Sequence, residues 1–257
     1  MVIRVGLCSV TFRALAAADV AALAAESGLE SVEWGGDVHV PPGDVVGAEQ
    51  VAEITANAGL VVASYGSYYR ASEGEDIAPV LDSAEALGAQ RVRVWAGRVG
   101  SDEADAAQRS RVVEHLRTAS AAAAQRGLTL SLEYHRQTLA DTPDATLRLL
   151  DEVGHPALHT YWQPTVGAPD DVAIAEYRAI ADRVTAAHVF SWWPHAERQP
   201  LDARDALWRG FFAAAGAQAA PPQDALLEFV PDDDPAVLPR EAEALRRYRR
   251  AATFSTD

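Results

Sequence analysis

The chain has 257 residues, of which 49% are hydrophobic and 23% charged, the composition of an ordinary globular protein and the length of one α/β domain. A formal charge of −15 leaves no basic stripe to neutralise a phosphate backbone, so nucleic acid is not an expected partner. Cys8 is the only cysteine and lysine is absent, which removes intrachain disulfides, thiolate zinc clusters, Schiff-base catalysis and the P-loop lysine together.

The first residues, MVIRVGLCSVTF, form too short an apolar run for a signal peptide, and no stretch approaches the ~18 to 20 apolar residues of a membrane span. A cytoplasmic location without membrane attachment is the expectation. Ile3 to Cys8 reads as the first strand. From there an alanine-rich amphipathic segment ends five times at a glycine and passes into a β-branched run: Gly28 before LESVEW, Gly59 before LVVASY, Gly88 before AQRVRVW, Gly127 before LTLSLEY and Gly154 before HPALHTYW. Each glycine suits a helix C′ position, where positive φ is needed. Their spacings of 31, 29, 39 and 27 residues are close to the length of one βα unit. Val184 to Val189 and Ala225 to Phe229 complete eight strands, the count that closes a barrel.

The helices are expected at Ala17 to Ser27, Ala48 to Ala58, Ile77 to Leu87, Glu103 to Arg126, Pro143 to Val153, Asp171 to Ala181, Ala203 to Ala213 and Pro235 to Tyr248. Thr142 before Pro143 makes an N-cap and N1 pair. One (β/α)8 TIM barrel over residues 1–257 follows. An open doubly wound sheet is the alternative, but no GxGxxG follows the first strand, where SVTFRAL stands.

A barrel of this kind gathers its active site at the C-terminal ends of the strands. Those ends carry Glu33, Trp34 and His39 after strand 2, and Tyr65, Ser67, Tyr68 and Arg70 after strand 3. Arg93, Trp95 and Arg98 follow on strand 4, Glu133 and His135 on strand 5, Tyr161 and Gln163 on strand 6, His188 on strand 7 and Glu228 on strand 8. Barrel closure brings Glu133 and Glu228 together with His188 between them. Glu133, Gln163, His188 and Glu228 form a mixed oxygen and nitrogen set suited to Mn²⁺ or Mg²⁺, with Co²⁺ or Zn²⁺ as alternatives. Such an ion leaves positions open for a substrate hydroxyl and carbonyl, while a carboxylate moves the neighbouring proton. The candidate substrate contacts are His39, Tyr68, Arg93, Trp95 and His135.

The pattern resembles the xylose isomerase-like barrels, specifically the sugar phosphate isomerase/epimerase group that includes ketose 3-epimerases and hydroxypyruvate isomerases. The resemblance covers nearly the whole chain. Its signature is a glutamate ending strand 5, an aspartate ending strand 6, a histidine ending strand 7 and a glutamate ending strand 8, all on one metal. Here those places are Glu133 in LSLEYH, Gln163 in TYWQP, His188 in AAHVF and Glu228 in LLEFV. The resemblance implies that Glu133 and Glu228 remove and return a proton on opposite faces of a small carbohydrate or hydroxyketone. It also implies that Arg198, in ERQPL, contacts the substrate.

Two departures stand out. Gln163 replaces the aspartate, removing one negative charge from the ligand set, and Val166 falls where the 3-epimerases carry a histidine. The expected function is therefore a metal-dependent sugar isomerase or epimerase, with two alternatives: a lyase or dehydratase acting on a polyol-derived ketone, or a barrel that binds sugar or metal without turnover. The DNA-repair members of the superfamily need more histidine and acidic ligands than this chain offers. A homo-oligomer is compatible with everything in the sequence.

Overall fold

The computed structural model describes residues 3–220 and 222–253. Eight parallel strands close into a barrel: β1 (Arg4–Cys8), β2 (Ser31–Gly35), β3 (Val61–Gly66), β4 (Arg91–Val94), β5 (Thr129–Leu132), β6 (Leu158–Trp162), β7 (Val184–Val189) and β8 (Asp224–Leu227). Neighbours in sequence are neighbours in the sheet, and β8 closes on β1 with Val5 opposite Ala225 and Leu7 opposite Leu227. Eight helices surround it: α1 (Ala17–Glu26), α2 (Val45–Asn57), α3 (Ala78–Leu87), α4 (Ala106–Gln125), α5 (Pro143–Val153), α6 (Asp170–Ile180), α7 (Asp205–Gly216) and α8 (Leu238–Thr253). The architecture is the (β/α)8 TIM barrel expected from the repeat. Among the described residues, no helix is long and apolar enough to cross a membrane.

The five repeat glycines all have positive φ, from 62° at Gly154 to 74° at Gly88. Thr142 accepts from the Ala145 N–H at 3.2 Å and caps α5 as expected. The boundaries that moved did so for local reasons. α2 starts at Val45 rather than Ala48 because Asp44 caps it, accepting from Gly47 N–H at 2.9 Å. α4 starts at Ala106 because Asp105 and Gln108 form a reciprocal capping box. β8 ends at Leu227, two residues early, because Phe229 turns away at a φ of 55°.

Side chains alternate across each strand, so every strand divides its residues between the barrel interior and the helical shell. In β2, Trp34 faces outward and donates to Thr55 of α2 at 3.0 Å, while Glu33 joins the interior. In β6, Trp162 packs outward, stacked on Phe211 at 5.1 Å and edge-on to Tyr177 at 5.2 Å. Its neighbour Tyr161 points inward and donates to Glu33 at 3.0 Å. The shell is thus the large apolar core, and the interior is filled mainly by polar groups and small residues.

Candidate active site

The interior polar groups form a column along the barrel axis. At its base Asp224 of β8 accepts from Arg4, Ser31 and Arg91 at 2.8 to 3.0 Å. Arg91 of β4 also donates to the Tyr161 hydroxyl at 2.9 Å, and Tyr161 passes the connection up to Glu33. Two residues further along β4, Arg93 donates from Nε to Glu33 at 2.9 Å and from Nη1 to Glu133 Oε2. Gly66 makes room for this pair: a Cβ there would lie 2.8 Å from both Arg93 Nη2 and Glu33 Oε1.

The column ends at the strand C-termini, where the four expected ligands meet. His188 Nδ1 lies 3.1 Å from Gln163 Oε1 and 3.4 Å from Glu228 Oε2. Glu133, His188 and Glu228 each place one donor atom within 4.8 Å of the others. All four residues are between 0% and 8% exposed. Glu133, Gln163 and Glu228 also line a cavity of about 310 Å³ that opens at the same end of the barrel.

The electrostatics explain what such a cluster needs. Burial disfavours the ionised form of Glu33, but the Arg93 guanidinium, the nearby His188 ring and the hydrogen bond from Ser64 outweigh it and hold its carboxyl well below the usual carboxylate range. Burial likewise opposes ionisation of Glu228, and His188 and Arg93 reverse that, leaving its carboxyl lowered. For His188, burial disfavours the imidazolium, yet the Glu228 carboxylate beside it pushes its pKa well above the ordinary value. Burial drives the Cys8 thiol up to about 12, so Cys8 is a neutral filler. Three carboxylates, Glu33, Glu133 and Glu228, therefore share the single arginine Arg93 and one imidazole. Converging buried anions without enough cations are costly, and a divalent cation between Glu133, Gln163, His188 and Glu228 removes the imbalance. The donor set fits such an ion: two carboxylate oxygens, an amide oxygen and an imidazole nitrogen.

The candidate substrate contacts divide into two groups. Tyr68, Arg93, Trp95 and His135 line the cavity, with Tyr68 stacked on Trp95 at 6.4 Å and Trp95 tilted against His135 at 4.7 Å. His39 does not line it: Nδ1 faces Ser9 Oγ at 3.0 Å and Nε2 faces the Leu15 carbonyl at 3.1 Å, so both ring nitrogens tie down the segment after β1. Arg198 stands one layer back, its guanidinium 4.7 Å from the Phe229 ring, 5.6 Å from Trp192 and paired with Asp233.

The cavity also takes residues that the strand ends do not reveal. Arg13 reaches in from the segment after β1 and donates to the Tyr68 hydroxyl at 2.9 Å, and Arg136, Phe190, Trp192 and Phe229 complete the walls. These lie in the segments that follow the barrel strands, where no periodicity marks a residue as inward-facing; Trp192 sits in a short antiparallel pair with Arg198. The indole N–H groups of Trp95 and Trp192 are buried without a protein acceptor among the described residues, and both residues line the cavity.

The chain is similar to several known proteins. A 3-dehydroshikimate dehydratase from Bacillus anthracis is 28% identical over 163 residues, a span of 59% of this chain and 58% of that protein's own length. Among solved structures, the probable 3-DHS dehydratase involved in petrobactin synthesis in Bacillus anthracis superposes with a TM-score of 0.73 at 19% identity, over 95% of this chain and 99% of that one. An L-ribulose 3-epimerase gives 0.74 at 16% identity, over 99% and 98%. A xylose isomerase-like barrel from Mycobacterium smegmatis in complex with magnesium gives 0.71 at 17%, over 97% of each chain. At these identities the structural likeness establishes the fold alone. The family model described as xylose isomerase-like TIM barrel matches residues 21–213, most of the chain, and the chain belongs to that family.

Proposed function

We propose that the protein is an enzyme that removes a proton from the carbon beside a carbonyl of a small, carbohydrate-like substrate and returns it, as an isomerase or epimerase does. The observation that carries this reading is the convergence of Glu133, Gln163, His188 and Glu228 at the floor of a cavity large enough for one such molecule. These four residues would hold a divalent metal ion, which when bound polarises the substrate carbonyl and stabilises the negative charge that develops on its oxygen.

The chain's own groups supply the rest. Glu133 and Glu228 stand on the β5 and β8 sides of the site and act as the base and acid pair. Arg93 engages Oε2 of Glu133, which fixes that carboxylate and leaves Oε1 for the proton. Tyr68, Trp95 and Trp192 give apolar faces for the carbon skeleton.

A second reading has its own support in the 28% identical dehydratase. Dehydration begins with the same proton abstraction. It then breaks the C–O bond one carbon further on, and the departing hydroxyl takes a proton to leave as water. Arg13 and Arg136 on the cavity wall suit a substrate bearing a carboxylate.

The test is incubation with Mg²⁺ or Mn²⁺ in deuterated water, using a panel of ketoses, aldoses, small hydroxyketones and 3-dehydroshikimate. Isomerase or epimerase action puts deuterium on carbon in a product of unchanged composition, whereas dehydration gives a product that has lost water. Glu133→Gln and Glu228→Gln each keep shape and a coordinating oxygen but cannot take a proton, so turnover falls by about 10²- to 10⁴-fold with folding retained. Full turnover in either variant removes that residue from the proposed chemistry.

A further inference from the structure

The column beneath the site contains one group with a position but no evident task. His188 Nε2 is fully buried, has no formed hydrogen bond among the described residues, and points away from Gln163 and Glu228. The acceptor facing it is Glu33 Oε1 at 3.4 Å. We propose that Glu33 is the positioning residue of the site, accepting from His188 Nε2–H and so fixing both the ring and its tautomer with the Nδ1 lone pair turned to the ligand cluster. This rests on the reading that Glu133, Gln163, His188 and Glu228 hold a divalent cation.

Glu33 is equipped for that role because it is itself immobile. Ser64 Oγ donates to Oε2 at 2.7 Å, the Tyr161 hydroxyl donates to Oε2 at 3.0 Å, and Arg93 Nε donates to Oε1 at 2.9 Å. Cys8 Sγ also donates to Oε1 at 4.0 Å, so four donors from four strands converge on the carboxylate, and this long thiol contact is the weak one that a His188 Nε2–H can displace. The gap of 3.4 Å is a few tenths of an ångström longer than a formed N–H···O bond, so a small shift of the ring closes it. Tyr161 also stands edge-on to the imidazole at 5.2 Å and limits its rotation.

With a cation bound, the other side of the ring requires the same tautomer. Nδ1 faces two oxygens, Gln163 Oε1 and Glu228 Oε2, and an imidazole nitrogen between acceptors can satisfy them only with a proton or with a cation between them. A neutral ring holding its proton on Nε2 offers Nδ1 to the cation. A carboxylate behind a metal-binding histidine raises the ring's basicity and fixes its direction, an effect worth about 10- to 100-fold in metal affinity.

Cys8, Glu33 and His188 also lie close enough together to suggest a second ion on that side. Glu33 already accepts from Cys8, Ser64, Tyr161 and the Arg93 guanidinium, so a cation there would displace a formed ion pair. The positioning role uses the cluster without that loss.

Mn²⁺ titration of the purified protein by calorimetry tests this directly, comparing wild type with Glu33→Gln, which keeps the shape and loses the charge. The expected result is affinity about 10-fold weaker in the variant. A second measurement uses the wild type alone: long-range ¹H–¹⁵N correlation of the histidine rings in Mg²⁺-loaded protein, with His188 assigned by its loss in His188→Asn. The ring proton should sit on Nε2, with the downfield shift of an N–H bonded to a carboxylate, which metal coordination alone would not produce. Wild-type protein that binds Mn²⁺ with a Glu33→Gln variant equal within about twofold would overturn the role of Glu33 alone. A ring proton on Nδ1 would do the same even if the variant did not fold. Wild type that binds no Mn²⁺ would overturn both this inference and the metal-site reading beneath it.

Discussion

The barrel interior and the helical shell are built from the same strands by opposite chemistry. Outside the sheet, Trp162, Trp208, Tyr177 and Phe211 stack at centroid distances of 4.8 to 6.3 Å in a layer that excludes water. Inside it, Arg91, Asp224, Tyr161, Glu33, Arg93 and Glu133 form one hydrogen-bonded chain. An apolar layer tolerates small rearrangements because dispersion is non-directional. A buried ionic column does not, since each charge depends on a partner in a fixed place. The shell therefore provides stability, and the column provides geometry to the site at its end.

That contrast can be broken from either side. Asp224→Ala removes the partner of Arg91, which is only 3% exposed, and should cost about 3–5 kcal/mol in a denaturant titration. Phe211→Ala, at a fully buried shell position, should cost a similar ~3–5 kcal/mol by leaving a cavity. Metal affinity separates them. It should fall in the Asp224 variant, whose lost contact frees Arg91 and through it Tyr161 and Glu33, and stay unchanged in folded Phe211→Ala protein. Equal metal affinity in both variants would mean that the column does not govern the site.

Acid sharpens the same contrast. Glu33 and Glu228 have folded-state values below their ordinary 4.5, so their contribution is complete above that pH and is lost as pH falls towards the folded values. Metal-free protein should thus lose stability as the pH drops below about 4.5. Phe211→Ala should keep that acid slope and Glu33→Gln should flatten it, measured by denaturant midpoints across pH.

Gln163→Asp gives the smallest effect. Replacing a neutral ligand oxygen by a charged one should tighten Mn²⁺ binding by about tenfold, ~1.4 kcal/mol, read by calorimetry. Unchanged or weaker binding would place Gln163 outside the ligand set.

The sequence displays the shell more openly than the column. Helix, glycine and strand recur because one face of each element must be apolar, and Pro143–Val153 and Val184–Val189 are legible to the residue. The strand-end residues Glu133, Gln163, His188 and Glu228 are legible as well, since polar groups ending apolar runs stand out. The support behind them is not. Ser64 is an ordinary serine in VVASYG, and its bond to Glu33 depends on the offset between β2 and β3, where the register shifts between Val32 and Glu33. His39 stands out as a strand-end histidine, yet loop geometry sends it to Ser9 and Leu15. Arg13 and Arg136 enter the cavity from loops whose course no local pattern sets.

The central claim is that the column ends in a single divalent-metal site. Crystals grown with Mn²⁺ and measured at its absorption edge test it most directly. The account predicts one strong anomalous peak within bonding distance of Glu133, Gln163, His188 and Glu228 together, with Glu33 and Arg93 outside the coordination sphere. A peak bound by Cys8 and Glu33 instead, or no peak at the strand ends in protein soaked with excess Mn²⁺, would contradict it.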